Sequence, residues 1–224
     1  SAAVSERAGL KVLSGERIHR ELVRLLVAPG AVAAIETMYD YGLVTGLIGL
    51  AARPGLMRRL ADIESGHRLA PQPMLRLAAL AVEVTEDADH LGDRLKLSNA
   101  ERERLARAAT ADSHGLSPPG DAAAIKAMIY RHGAEAARDV LLIAWARAGA
   151  GPGDPQWRAK LTLANTWQAP KLPVSGKDVV ALGVAPGPRV GELLARVEDW
   201  WIEAGFPDDR GQLLSRLESA VRGG

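Results

Sequence analysis

The chain contains no cysteine. That excludes a disulfide framework, thiolate metal sites and cysteine nucleophiles, and it fits a cytoplasmic protein. Aromatic residues are few: nine, five of them Trp. The core must therefore be built from Leu, Val, Ile and Ala, which suits packed helices better than a sheet. No apolar run approaches the ~20 residues that span a bilayer, so no membrane segment is expected. An excess of one charge is missing too, with 28 basic and 27 acidic residues. Whole-chain charge thus announces no nucleic-acid binder. The opening Ser1-Ala2-Ala3-Val4-Ser5-Glu6-Arg7 lacks the form of a signal peptide. Without an initiator Met, it reads as a piece of something longer.

What is present is ordinary for a folded chain: 224 residues, 47% hydrophobic and 25% charged. The basic residues are unbalanced, with 22 Arg and six Lys. Arg suits bidentate phosphate contacts, although a genome rich in G and C yields the same bias.

The apolar spacing is helical throughout. Ile18, Leu22, Leu25 and Leu26 form one stripe of a helix over 14–28, with Ser14 as N-cap and Pro29-Gly30 as its end. Arg17, Arg20 and Arg24 lie on another face, interleaved with Glu16 and Glu21. Further helices are predicted at 31–41, 54–66, 74–82, 86–96, 98–111, 121–131, 134–148, 156–166, 176–182, 188–204 and 209–222. The stretch 43–50 reads as a short helix or a buried turn. Ser98-Asn99-Ala100-Glu101 is a capping box, and Ser117-Pro118-Pro119-Gly120 breaks the chain. The stretch Ala148 to Pro155, rich in Gly and Pro, is the most linker-like, and a boundary is placed there. No alternating strand pattern and no fixed repeat occur, so the fold class is all-α.

Candidates for chemistry are sparse. His19, His67, His90, His114 and His132 are scattered without metal-ligand spacing, so no metal site is expected. Asp87 and Asp89 would suit a paired-carboxylate metal site only on a strand. Here they open a helix, where i and i+2 do not share a face and acids suit the first turn. Glu101, Glu103, Arg102, Arg104 and Arg107 read as a solvated helix face, with Glu103 and Arg107 as i, i+4 partners.

The most informative segment runs from Pro173 to Leu194. Ser175 caps a short helix with Asp178 in the capping-box position, and Gly183 ends it. Pro186-Gly187-Pro188 is a rigid turn into a long amphipathic helix carrying Val190, Leu193, Leu194, Val197 and Trp201 on one face. The N–H groups of Arg189, Val190 and Gly191 would be unsatisfied at its start, an anion site by geometry. Gly187 and Gly191 would let a backbone or a phosphate approach. A helical hairpin stiffened by Pro and Gly explains the same residues.

Pro173-Val174-Ser175-Gly176-Lys177-Asp178, followed by Leu182-Gly183-Val184-Ala185-Pro186-Gly187-Pro188-Arg189-Val190-Gly191, resembles the tail motif of bacterial class II tRNA nucleotidyltransferases. These are the CCA-adding enzymes and their poly(A) polymerase relatives. Leu13-Ser14-Gly15-Glu16-Arg17-Ile18-His19-Arg20-Glu21-Leu22 resembles the family's neck entry, and Met38-Tyr39-Asp40-Tyr41-Gly42-Leu43 its next helix and turn. The family's catalytic motifs have no counterpart: no Gly-Ser ahead of a two-Asp strand, no Arg-Arg-Asp, no Glu-Asp-x-x-Arg. The resemblance therefore implies an elongated helical array: neck entry 1–30, body 31–150 and tail 151–224. It implies the C-terminal half of such an enzyme, inactive alone, with a catalytic N-terminal domain as its missing partner. Mg2+ and CTP or ATP would belong to that head, so no cofactor is expected in this chain. The implied partner is tRNA, held through phosphates and shape. The residues assigned to contact it are Lys177, Gly187, Arg189 and Gly191 in the tail and Arg17, Arg20 and Arg24 in the neck. A face left by the absent head would favour self-association. A poly(A) polymerase region, or a helical adaptor that binds a protein and no RNA, is the alternative.

Overall fold

The computed structural model describes residues 14–110 and 121–223. Ser117-Pro118-Pro119-Gly120, His114 and the segment before Ser14 lie outside them. The described residues form helices and no strand. In chain order these are α1 (Gly15–Val27), α2 (Ala31–Asp40), α3 (Leu43–Ile48), α4 (Pro54–Gly66), α5 (Pro73–Ala81), α6 (Thr85–Leu95), α7 (Asn99–Ala109), α8 (Ala122–Ala148), α9 (Pro155–Thr166), α10 (Gly176–Ala181), α11 (Pro188–Glu203) and α12 (Arg210–Arg222).

Local chemistry sets the boundaries. Asp121, Asp154 and Asp209 accept hydrogen bonds from N–H groups of the turns they open, at 2.9 Å, 2.9 Å and 3.0 Å. That satisfies donors a helix start leaves orphaned. Ser98 and Glu101 form the predicted capping box, with Ser98 N–H donating to the Glu101 carboxylate at 2.8 Å. Pro54, Pro73, Pro155 and Pro188 occupy first helical positions, where the missing N–H costs nothing. The predicted break in the eighth helix is a kink at Gly133, whose φ of 85° is left-handed. The stretch read as helix or turn is the short α3.

Two hydrophobic cores result. The larger takes residues from α1 through α9. Its hub is α5, in which every residue from Met74 to Ala81 is buried. It contacts α1, α4, α7 and α8. Helix α9 closes this core by stacking Trp157 on Trp145, with ring centroids 5.9 Å apart and planes 10° apart. The smaller core joins Val174 and Val179 to Leu193, Val197 and Trp201 of α11 and Leu213 and Leu217 of α12. Tyr130 of α8 reaches it, meeting Trp201 edge-on at 5.6 Å.

The division falls later than the Gly/Pro-rich stretch 148–155 suggests. Trp157, Leu161 and Ala164 belong to the larger core, and His67 Nε2 lies 2.9 Å from the Pro152 carbonyl. That stretch is a tight turn between two packed helices. Glycine and proline mark turns and linkers alike; only burial of the next helix separates them.

Candidate functional site

The residues singled out in the sequence fall on two separate surfaces. Arg17, Arg20 and Arg24 lie exposed on α1, which buries Ile18, Leu22 and Leu26 and packs on α2, α5 and α6. Arg24 is 3.6 Å from Glu21. Neither Arg17 nor Arg20 forms an ion pair among the described residues. Glu16 is held below its ordinary range by hydrogen bonding at the helix start, through its own backbone and Ser14. On the other side of α1, His19 lies 3.2 Å from Glu101 and ties the helix to α7.

Lys177 of α10, Gly187 at the cap of α11, and Arg189 and Gly191 of α11 lie exposed on the elements that build the smaller core. The segment that places them is tightly built. Asp178 accepts from Ser175 N–H at 2.7 Å and from Ser175 Oγ at 3.0 Å. Its other oxygen accepts from Arg210 Nη2 at 2.5 Å, while Arg210 Nη1 donates to the Pro173 carbonyl at 3.0 Å. One carboxylate thus caps α10 and clamps it to the start of α12. The backbone hydrogen bond from Ser175 and the pairing with Arg210 hold Asp178 below its ordinary range.

One expectation for the turn needs correction. The N–H of Val190 is satisfied, donating to the Gly187 carbonyl at 3.1 Å, because the first turn of α11 tightens onto its own cap. A close approach within the chain occurs at Gly176, where an added Cβ would sit 3.3 Å from a side-chain atom, Val190 Cγ1. A Cβ at Gly187 or Gly191 would meet nothing within 4 Å. Gly187 has a φ of 161°, which is extended backbone open to any residue.

Sequence reasoning missed the continuation of this surface. Arg196 stands seven residues beyond Arg189, which returns it to the same helix face. It lines a cavity of about 270 Å³ with Trp200 of α11 and Arg216 of α12. The Arg216 guanidinium lies 5.3 Å from the Trp200 ring centroid, in reach of its π face. The cavity is lined by Arg196, Val197, Trp200, Arg216, Ser219 and Ala220, with no carboxylate among them. The i, i+7 spacing of Arg189 and Arg196 was legible; the arrival of Arg216 from another helix was not.

The acidic pair stands at a helix start. Asp87 accepts from the N–H groups of Glu83 and Val84 at 2.8 Å and 3.1 Å, capping α6. Asp89 is exposed, with buried Ala88 between them. Among the described residues no three His, Asp or Glu side chains converge on a metal position. Nor is any helix among them long and apolar enough to cross a membrane.

Fold and surfaces together define an all-helical module with exposed cationic faces. Residues 2–56 match a family model described as the probable RNA and SrmB-binding site of polymerase A. The chain is 30% identical to the mitochondrial CCA tRNA nucleotidyltransferase 1 of Mus musculus, over 96% of this chain and 49% of the relative. The Homo sapiens and Danio rerio proteins of that name match at 29% and 28%, again over 49% of their length. The chain spans about half the length of the curated relatives it matches. These matches support the chain as a C-terminal region of the CCA-adding and poly(A) polymerase family.

Proposed function

We propose that this chain is the tRNA-binding C-terminal region of a CCA-adding tRNA nucleotidyltransferase, acting in tRNA 3′-end maturation. The observation that carries the reading is the match of 96% of the chain to half of such an enzyme. The geometry supports it through two cationic faces. Arg17 and Arg20 on α1 form no ion pair among the described residues. Arg196 and Arg216 border a cavity with no carboxylate in its lining and with Trp200 as a stacking platform; Arg189 stands seven residues before Arg196 on the same helix face. Guanidinium groups suit backbone phosphates, and an aromatic face accepts any base. Lys177, Gly187 and Gly191 are exposed on α10 and at the start of α11 and belong to the same proposed tail contact.

In this reading the chain supplies grip and shape and does no chemistry alone. A catalytic head is its partner in the whole enzyme, and self-association through the face that head would cover belongs to the same proposal. The division into neck 1–30, body 31–150 and tail 151–224 is part of it too, with hydrophobic packing favouring a later start for the tail, at about 174. The reading keeps a cytoplasmic location, although the relatives are named as mitochondrial. A poly(A) polymerase region is the second reading, favoured by the family description over 2–56.

The test is binding to deacylated tRNA across a salt series, with an RNA hairpin lacking the elbow as competitor. Affinity should fall steeply with salt, with a slope that counts neutralised phosphates. Arg189→Ala should weaken tRNA binding and lower that slope by roughly one phosphate's worth. No tRNA binding at low salt, or equal affinity for the hairpin, refutes the reading and points to a protein partner.

A further inference from the structure

Helix α11 carries two adjacent tryptophans, and the fold treats them differently. Trp201 is buried in the smaller core, where its Nε1 donates to the Pro207 carbonyl at 3.0 Å. Neighbouring helix positions point about 100° apart, so Trp200 looks out of that core. It stays half-buried and borders the cavity of about 270 Å³ between α11 and α12. The Arg216 guanidinium of α12 lies 5.3 Å from its ring centroid. An indole and a planar cation from two different helices thus border one space, with Arg196 beside them.

The acids nearest in sequence are committed elsewhere. Glu198 accepts a hydrogen bond from Tyr130, and Asp199 pairs with Arg131 at 3.2 Å, so both turn toward α8. Glu218 pairs with Arg222 at 3.1 Å. Neither Arg196 nor Arg216 forms an ion pair among the described residues. Two solvated arginines are ordinary on a protein surface. A concave site that adds an indole wall, with one of those guanidiniums over the ring, has a narrower chemistry. It matches a ligand that joins a flat π surface to an anion, and a nucleotide is such a ligand.

We propose that this cavity takes one unpaired nucleotide of bound RNA, its base sandwiched between the Trp200 indole and the Arg216 guanidinium and its phosphate held by Arg196. The inference rests on the tRNA-binding reading and deepens it, by naming the part of the RNA that enters. A base inside a stem has both faces covered by its neighbours, so only a nucleotide out of the stack can present one to the indole. Arg216 is exposed, and its long side chain swings outward to admit a ring and then covers the ring's far face. Every base has a π face, so the site selects an unpaired nucleotide and not a sequence. Arg suits the outer layer because its cation is planar; an ammonium carries the charge without the plane.

The experiment compares two labelled strands by fluorescence anisotropy at low salt: a uridine hexanucleotide, and an abasic ribose-phosphate strand of the same length and charge. The chain should bind the hexanucleotide about tenfold more tightly, since the strands differ only in the bases available to stack. Arg216→Lys is the decisive variant. It keeps the charge, loses the plane and sits on an exposed position, so the fold is retained. It should weaken the hexanucleotide severalfold and leave the abasic strand unchanged. Trp200→Leu should abolish the preference between the strands. Equal affinity of the wild-type chain for both strands overturns the proposal, and so does an Arg216→Lys chain that keeps the full preference. Titration with deacylated tRNA separates this inference from the reading beneath it. Wild-type chain that binds tRNA but shows no base preference refutes the sandwich alone. Chain that shows the base preference but binds no tRNA refutes the tRNA reading and leaves this site standing.

Discussion

The two cores of this molecule are built on different principles. The larger surrounds a fully buried helix, α5, and locks it with interior ion pairs. Arg76 Nε donates to Glu64 at 2.8 Å and its Nη1 donates to the Leu26 carbonyl at 2.7 Å. Arg104 holds Asp139 by two hydrogen bonds, at 2.6 Å and 3.1 Å. The smaller core has seven buried apolar residues and no buried ion pair among the described residues. It leans on aromatics instead: Trp201 contacts Tyr130 at 5.6 Å and Phe206 at 5.0 Å. Phe206 takes a left-handed φ of 64°, and Trp167, at the end of α9, packs on it at 5.1 Å. Tyr130 also hydrogen-bonds Glu198, and burial together with that bond pushes its phenol up to about 12. Arg131 pairs with Asp199 at 3.2 Å. A small core buries too little to stand well alone; this one is completed by the side of α8. The comparison teaches that the tail surface is only as well ordered as its docking on the body.

The largest expected effect belongs to the larger core. Arg76→Ala leaves Glu64 buried without its partner and should cost about 4 kcal/mol, read as a lower denaturant midpoint for the whole chain. A loss below about 1 kcal/mol would mean that the pair behaves as a surface bridge and the contrast between the cores fails.

Trp201→Ala should come next, at about 3 kcal/mol, and should act locally. Hydrogen exchange should show lost protection over α10, α11 and α12, with α4 and α5 still protected. Uniform loss across both cores would show that they unfold as one unit.

The smallest effect is the pH dependence, and its sign differs between the cores. Burial, offset in part by Arg76, holds the Glu64 carboxyl above its ordinary 4.5. Stability at that group is lowest above the raised value and increases as pH falls through it. Asp178 is held below its ordinary 3.8. Its contribution is complete above that ordinary value and is lost as pH falls through the depressed one. Denaturant midpoints measured against pH should therefore lose the gain on acidification in Glu64→Gln. Exchange protection of α10 should lose its fall at low pH in Asp178→Asn. Superimposable profiles for wild type and both variants would remove this contrast.

Local chemistry was readable to a fine grain. Ser98 with Glu101, Ser175 with Asp178, and proline at the helix starts are contacts over three or four residues, so sequence spacing suffices to find them. The stripe Ile18, Leu22 and Leu26 and the face Leu193, Val197 and Trp201 emerge for the same reason: helical periodicity is a local property. The tail motif and neck entry pointed to the family before any packing was known. The linker-like stretch misled, because Gly and Pro describe how the chain turns and not what lies beyond the turn.

Everything joined across long sequence distance was decided in three dimensions. Arg53 and Arg147 are 94 positions apart (147 − 53) and line one cavity only because α4, α5 and α8 pack together. Arg216 reaches Trp200 only because α12 folds back on α11. Helix periods and caps are written in residues a few places apart, so the sequence determined the helices and their buried faces. Which cations converge, and how many acids stand beside them, depends on which faces meet, and that was settled by the packing of the two cores.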